Sequence, residues 1–211
     1  MKKITLIIAM VAVLSACSED QTVEQQLTDT LADVNEKEKQ GISYVKKLNQ
    51  QELKEQKRFT DTMELTQEQY PEVKKQVASL KKSARERTII IEKEEKALSE
   101  AREAADKLSA LIDIVDKAEK ETLEKLIQAL EERFEKHEQL ISDYKKLIDA
   151  QTQLYTKLED REIRSSQLQK QVKEVNILTS GLQQKIDEFN KSTNEVNRLQ
   201  TRAFGSLEKA K

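Results

Sequence analysis

Cys17 is the residue whose type and position point most directly to a covalent reaction. It is the only cysteine, and it closes the run Leu14-Ser15-Ala16-Cys17 directly after an apolar stretch. A thiolate is the strong nucleophile among side chains. At this place it can accept a diacylglyceryl group as a thioether, the reaction that a bacterial lipobox directs. Residues 1–16 then read as a lipoprotein signal peptide: Lys2 and Lys3 supply the positive start, Ile4 to Val13 the apolar run, and Ser15 and Ala16 the small residues before the cut. That run falls short of the roughly 20 residues a bilayer span needs. Two acyl chains provide the two signals that stable anchoring takes. Cleavage would leave residues 17–24 as a polar, lipidated tether and residues 25–211 as the folded domain. The expected location is the extracytoplasmic face of the cell membrane. The covalent lipid on Cys17 is the only attached group expected, with no other cofactor.

The remaining candidates for chemistry are sparse. His137 is the single histidine and lies on a helical seam. It could act as a pH sensor or metal ligand, or as a hydrogen-bonded residue that sets register. A lone His without Cys partners cannot build the usual zinc site, so no metal site is expected. Glu38 and Glu94 fall at comparable heights if the first two helices are antiparallel about Pro71. No Glu-x-x-His motif accompanies them, which speaks against a di-iron bundle site. Arg87, Gln151 and Gln200 also fall on seams. Buried polar residues there commonly specify register at a cost in stability. Phosphate-loop, nucleophile-elbow and zinc-protease patterns do not occur. No catalytic residue is expected, and the chain is read as not an enzyme.

Composition restricts the elements that can position such residues. Charged residues make up 36% of the chain, against about 25% in ordinary globular domains. There are three Gly, one Pro and no Trp, which suits long amphipathic helices and leaves little turn material for sheets. The formal net charge of −2 becomes about −4 once Lys2 and Lys3 are removed. A mildly acidic chain is a poor nucleic-acid partner, because phosphate neutralisation needs a basic field.

Apolar residues recur at alternating steps of four and three. Leu123, Ile127, Leu130, Phe134, His137, Ile141, Tyr144, Ile148, Gln151, Tyr155 and Leu158 form one such seam. Val73, Val77, Leu80 and Ala84 begin a second, which runs on to Val115. A third extends from Leu168 to Leu207. Leu126, Leu140, Leu147 and Leu154 widen the first to about three residues in seven, the width of a bundle core. The N-terminal segment is weaker. Leu27, Leu31, Val34, Val45 and Leu48 fit, Glu38 and Gly41 interrupt, and further on only Phe59 keeps the phase, with Met63 one residue off it. Pro71 predicts that the first helix ends near Gln69 and the second starts at Pro71. Asp116-Lys117-Ala118-Glu119 and Ser166-Gln167-Leu168-Gln169 have the form of capping boxes. The predicted fold is all-α, an elongated antiparallel four-helix up-and-down bundle. The boundary at 113–117 lacks Gly and Pro, so the alternative is a three-helix rod with helices two and three continuous.

Several stretches resemble one known family. Glu132-Arg133-Phe134, Tyr144 with Leu147, Gln153 to Asp160, Val175-Asn176, and Phe189-Asn190 with Thr193 and Asn197 look like the YkyA-type cell-wall-binding lipoproteins of Gram-positive bacteria. The likeness covers most of the mature chain and is most motif-like over residues 130–205. The family often has tyrosine where this chain has Phe134 and Val196. The resemblance implies a four-helix up-and-down bundle, a surface location and association with the wall. It implies no catalytic residues.

The expected function is therefore non-enzymatic: binding or spacing of envelope material by a membrane-anchored lipoprotein. Its partners would be the cytoplasmic membrane through the lipid, and peptidoglycan or wall polymers through the domain. The alternative is a protein-interaction subunit that docks onto a membrane or cell-division complex through helical faces. Tyr70, Arg161 and Arg164 sit at predicted turns and are the candidate binding residues, since rings stack on sugars and guanidinium groups bind anions.

Overall fold

The computed structural model describes residues 22–209. Cys17, the signal peptide and most of the tether lie outside the described residues. The described chain is a succession of four long helices: α1 (Val23–Met63), α2 (Tyr70–Ala105), α3 (Lys117–Leu158) and α4 (Ser165–Lys209). Among the described residues there is no strand.

The connections show why the helices stop where they do. α1 ends at Met63, six residues before the predicted Gln69. Leu65 N–H closes the last turn on the Thr62 carbonyl at 3.2 Å, and Thr66 then opens a new cap. The Gln69 side chain accepts from Thr66 N–H at 3.0 Å, and Gln67–Gln69 form a 3-10 turn that leads into α2. Pro71 is thus the second residue of α2, where its missing N–H has no helical partner to lose.

α2 does not run on into α3. Its last turns tighten into a 3-10 stretch, Asp106–Asp113, with Leu108 and Leu111 buried three residues apart, the period of that helix. Asp116 then caps α3. Glu119 N–H donates to Asp116 Oδ1 at 3.0 Å, and Asp116 N–H donates to Glu119 Oε2 at 3.2 Å. This reciprocal capping box fixes a helix start, so the three-helix alternative is wrong.

Between α3 and α4, Asp160 Oδ1 accepts from Glu162 N–H at 2.9 Å. Arg164 takes the cap position of α4, with its N–H donating to the Gln167 side chain at 3.3 Å. The box expected at Ser166 is displaced, because Gln167 satisfies the backbone two residues earlier.

The described chain divides into two compact units, and each long helix contributes to both. Unit 1 takes the chain up to Ile42, Glu95–Glu138, and the chain from Ile186. Its core is apolar on every helix: Leu27, Leu31 and Val34 of α1, Leu98 and Ala101 of α2, Leu126, Leu130 and Phe134 of α3, and Val196, Leu199 and Ala203 of α4. Each fully buried Leu or Phe contributes about 1.5–3 kcal/mol. Val23, Ile112, Val115 and Phe204 close this core at the turn between α2 and α3.

Unit 2 comprises Ser43–Glu94 and Gln139–Lys185. Leu48, Leu80, Ile91, Ile141, Ile148 and Leu154 are buried there, together with an ion network described below. Its cross-helix bonds establish the helix directions. Lys81 meets Glu159 and Arg87 meets Gln151, so α2 and α3 are antiparallel. Glu52 meets Tyr144 and Glu55 meets Tyr155, so α1 and α3 are parallel. This is the up-and-down order.

Candidate functional site

The two turns of unit 2 bring two of the three candidate binding residues together. The Tyr70 hydroxyl donates to the Glu159 carbonyl at 2.5 Å, joining the start of α2 to the end of α3. The Arg161 guanidinium lies 5.6 Å from the Tyr70 ring centroid, and Lys74 Nζ lies 5.8 Å from it. Lys81 Nζ holds the Glu159 carboxylate at 2.6 Å. Tyr70 is half-buried, while Arg161 is exposed. Arg164 is exposed as well, and its described bonds are made by its main chain. The turn end thus offers an aromatic ring already flanked by cations, with guanidinium groups open to solvent. Such an arrangement can contact anionic or hydroxyl-rich material.

Deeper in unit 2, the polar seam residues form one network. Arg87 of α2 is 1% exposed. Its guanidinium donates to Glu55 of α1 at 2.7 Å, to Gln151 of α3 at 2.6 Å and to the Tyr144 hydroxyl at 3.1 Å. Tyr144 in turn donates to Glu52, and Tyr155 donates to Glu55 at 2.6 Å. Two carboxylates thus share one guanidinium. Burial pushes the Glu52 carboxyl above the usual carboxylate range, against the opposing pull of the Tyr144 hydrogen bond and Arg87. Burial, with the neighbouring glutamates, also raises the Tyr144 and Tyr155 phenols. Both rings therefore stay neutral donors. Two atoms of the network, Arg87 Nε and Glu55 Oε2, are buried and make no hydrogen bond.

Unit 1 has its own buried pair. Arg133 of α3 donates to Glu38 of α1 and, through Nε, to Thr193 of α4 at 3.0 Å. Its guanidinium lies over the Phe189 and Phe134 rings, at 5.1 and 5.7 Å. Asn35, Asn197 and Gln200 line a small recess beside it, with room for about one water molecule. His137 is buried next to this cluster, its ring 5.6 Å from that of Phe189. Glu38 is therefore the partner of Arg133.

Glu52, Glu55 and Arg133 join the polar residues expected on the seams. The signal was present for two of them. Glu38, Gly41, Val45, Leu48, Glu52, Glu55, Phe59 and Thr62 continue the four-and-three spacing of α1 without a break. The seam of α1 is not interrupted: Glu38, Glu55 and Thr62 are buried in phase. Arg133 lies beside Phe134, off the α3 seam, and carried no such signal.

Among the described residues no group of three or more His, Cys, Asp or Glu side chains is placed to hold a metal ion. No described helix is long and apolar enough to cross a membrane.

A family model matches residues 22–204, all of α1, α2 and α3 and most of α4; its description is "Putative cell-wall binding lipoprotein". The chain belongs to the YkyA family. Membership agrees with the resemblance carried by the C-terminal half. A solved structure from Staphylococcus aureus, described as a conserved protein of unknown function, has the same fold as this YkyA-family chain. Its TM-score is 0.73 at 18% identity, over 88% of this chain and 97% of that one. A search of the curated proteins found no match.

Proposed function

We propose that this chain is a non-enzymatic surface lipoprotein, held by a diacylglyceryl group on Cys17, that binds or spaces cell-wall material outside the cytoplasmic membrane. The family match carries this proposal. Two structural observations support it. Val23, the first residue of α1, packs against the core of unit 1, so the expected tether of residues 17–24 is already helical at its end and runs directly into the folded chain. The exposed Arg161 and the flanked Tyr70 ring belong to unit 2 and supply a surface suited to polar polymers. Sedimentation of residues 18–211 with purified sacculi, with and without wall polymers and over a salt series, tests direct recognition. Saturable binding that survives moderate salt is the expected result. A folded, helical fragment that stays in the supernatant would reject it.

Exposed apolar residues favour a second function, docking onto a membrane or division complex through helical faces. Leu53, Ile89 and Ile177 of unit 2 are 59%, 51% and 61% exposed. In-cell crosslinking from these positions should then recover a protein. Recovery of lipid and sacculus alone would reject docking.

A further inference from the structure

The first sixteen residues of α4 are fastened differently from the rest of the bundle. Within Ser165–Ser180 only Gln171 is buried. The apolar positions Leu168, Val172, Val175 and Leu178 are half-buried, and Ile177 is exposed. From Leu182 onward the same helix buries Ile186, Phe189, Val196, Leu199 and Ala203. α3 over residues 139–158 buries seven apolar side chains, including Tyr144, Leu147 and Leu154. The segment of α4 is therefore poorly supplied with the apolar burial that protects a helix from local opening.

The one buried side chain of the segment makes polar contacts. Gln171 Nε2 donates to the Ala150 carbonyl of α3 at 3.2 Å, and its Oε1 accepts from Lys157 of the same helix. Ala150, Leu154 and Lys157 lie on one face of α3 by their spacing. The bonds around Arg87 run between α1, α2 and α3, so they can persist without this segment.

The segment ends at Gly181. A Cβ added there would meet nothing within 4 Å, so no close approach explains the glycine. A glycine inside a helix weakens it through backbone entropy. It stands one residue before the buried Leu182.

We propose that Ser165–Ser180 is an arm that opens from α3 about Gly181, held shut by the Gln171 latch, while α1, α2 and α3 of unit 2 stay folded. Opening bares the Ala150–Leu154 face of α3 together with the apolar stripe of the arm. The device does not depend on whether the chain binds wall material.

Hydrogen exchange on the full-length chain, read peptide by peptide, tests the arm. Amides of 165–180 should exchange at least about tenfold faster than those of 139–158 and 186–205, with a step at Gly181. Gly181→Ala should slow the arm about fivefold and leave α3 unchanged. Gln171→Ala should speed it. Equal protection of the arm and α3 in the unaltered protein would overturn the proposal. So would a gradient that decays smoothly from Ser165, which is end fraying, or variants that shift every helix together.

Discussion

Arg87 and Glu55 face each other at 2.7 Å in the interior of unit 2, at 1% and 4% side-chain exposure. An ion pair so far from solvent is costly to form and costlier to break, because removing one partner strands the other charge. Glu55→Ala should therefore destabilise the protein by about 3–5 kcal/mol. Replacing both partners with apolar residues of similar volume should cost clearly less than the single change. Urea unfolding of the two single variants and the double variant measures this. Simple additivity would show that the pair is not coupled.

Glu52 carries a pH signature of its own. Burial raises its carboxyl above the ordinary value of 4.5, so the folded state holds this proton more tightly than the unfolded chain does. Its contribution is fully present below pH 4.5 and is lost as pH rises through the folded value. Glu52→Gln keeps an acceptor for Tyr144 and removes the titration. Unfolding free energies measured from pH 3.5 to 7 should move in favour of the Gln variant as pH rises. A difference that stays constant with pH would contradict the assignment.

The capping box of α3 is a local device with a local cost. Asp116→Ala removes the acceptor for Glu119 N–H and should cost about 1 kcal/mol. Asp116→Asn, which keeps an acceptor, should recover most of the loss in the same denaturation assay.

At the turn end, stability and recognition can be separated. Tyr70→Phe deletes the bond to the Glu159 carbonyl and should cost about 1 kcal/mol. It leaves the ring beside Arg161 and should leave sacculus binding intact. Alanine at Tyr70, Arg161 and Arg164 together should abolish that binding while circular dichroism still reports a folded bundle. Binding that survives the triple change would move the contact surface elsewhere.

Much of this architecture could be read from residue order. The seams of α2, α3 and α4 give the helices, and Asp116-x-x-Glu119 marks the boundary that Gly and Pro leave unmarked. α1 ends earlier than Pro71 predicts, because Thr66-x-x-Gln69, a further capping pattern, opens the 3-10 turn that leads into α2. The ion networks were half legible. Arg87 on a seam calls for a buried acid, and Glu55 stands in phase on α1, but only packing shows that the two meet. The Tyr70 bond to Glu159 could not be anticipated, since its acceptor is a main-chain carbonyl 89 residues away. A carbonyl is the same group at every position, so residue types do not mark it.

Glu38 and Arg133 stand 95 residues apart in the chain and share one interior site of unit 1. Loss of either side chain leaves a buried charge without its counterpart. Drift at one position is thus closed off until the other has changed. Over evolutionary time the two codons behave as a single locus, and relatives should carry the acid and the base together or carry neither.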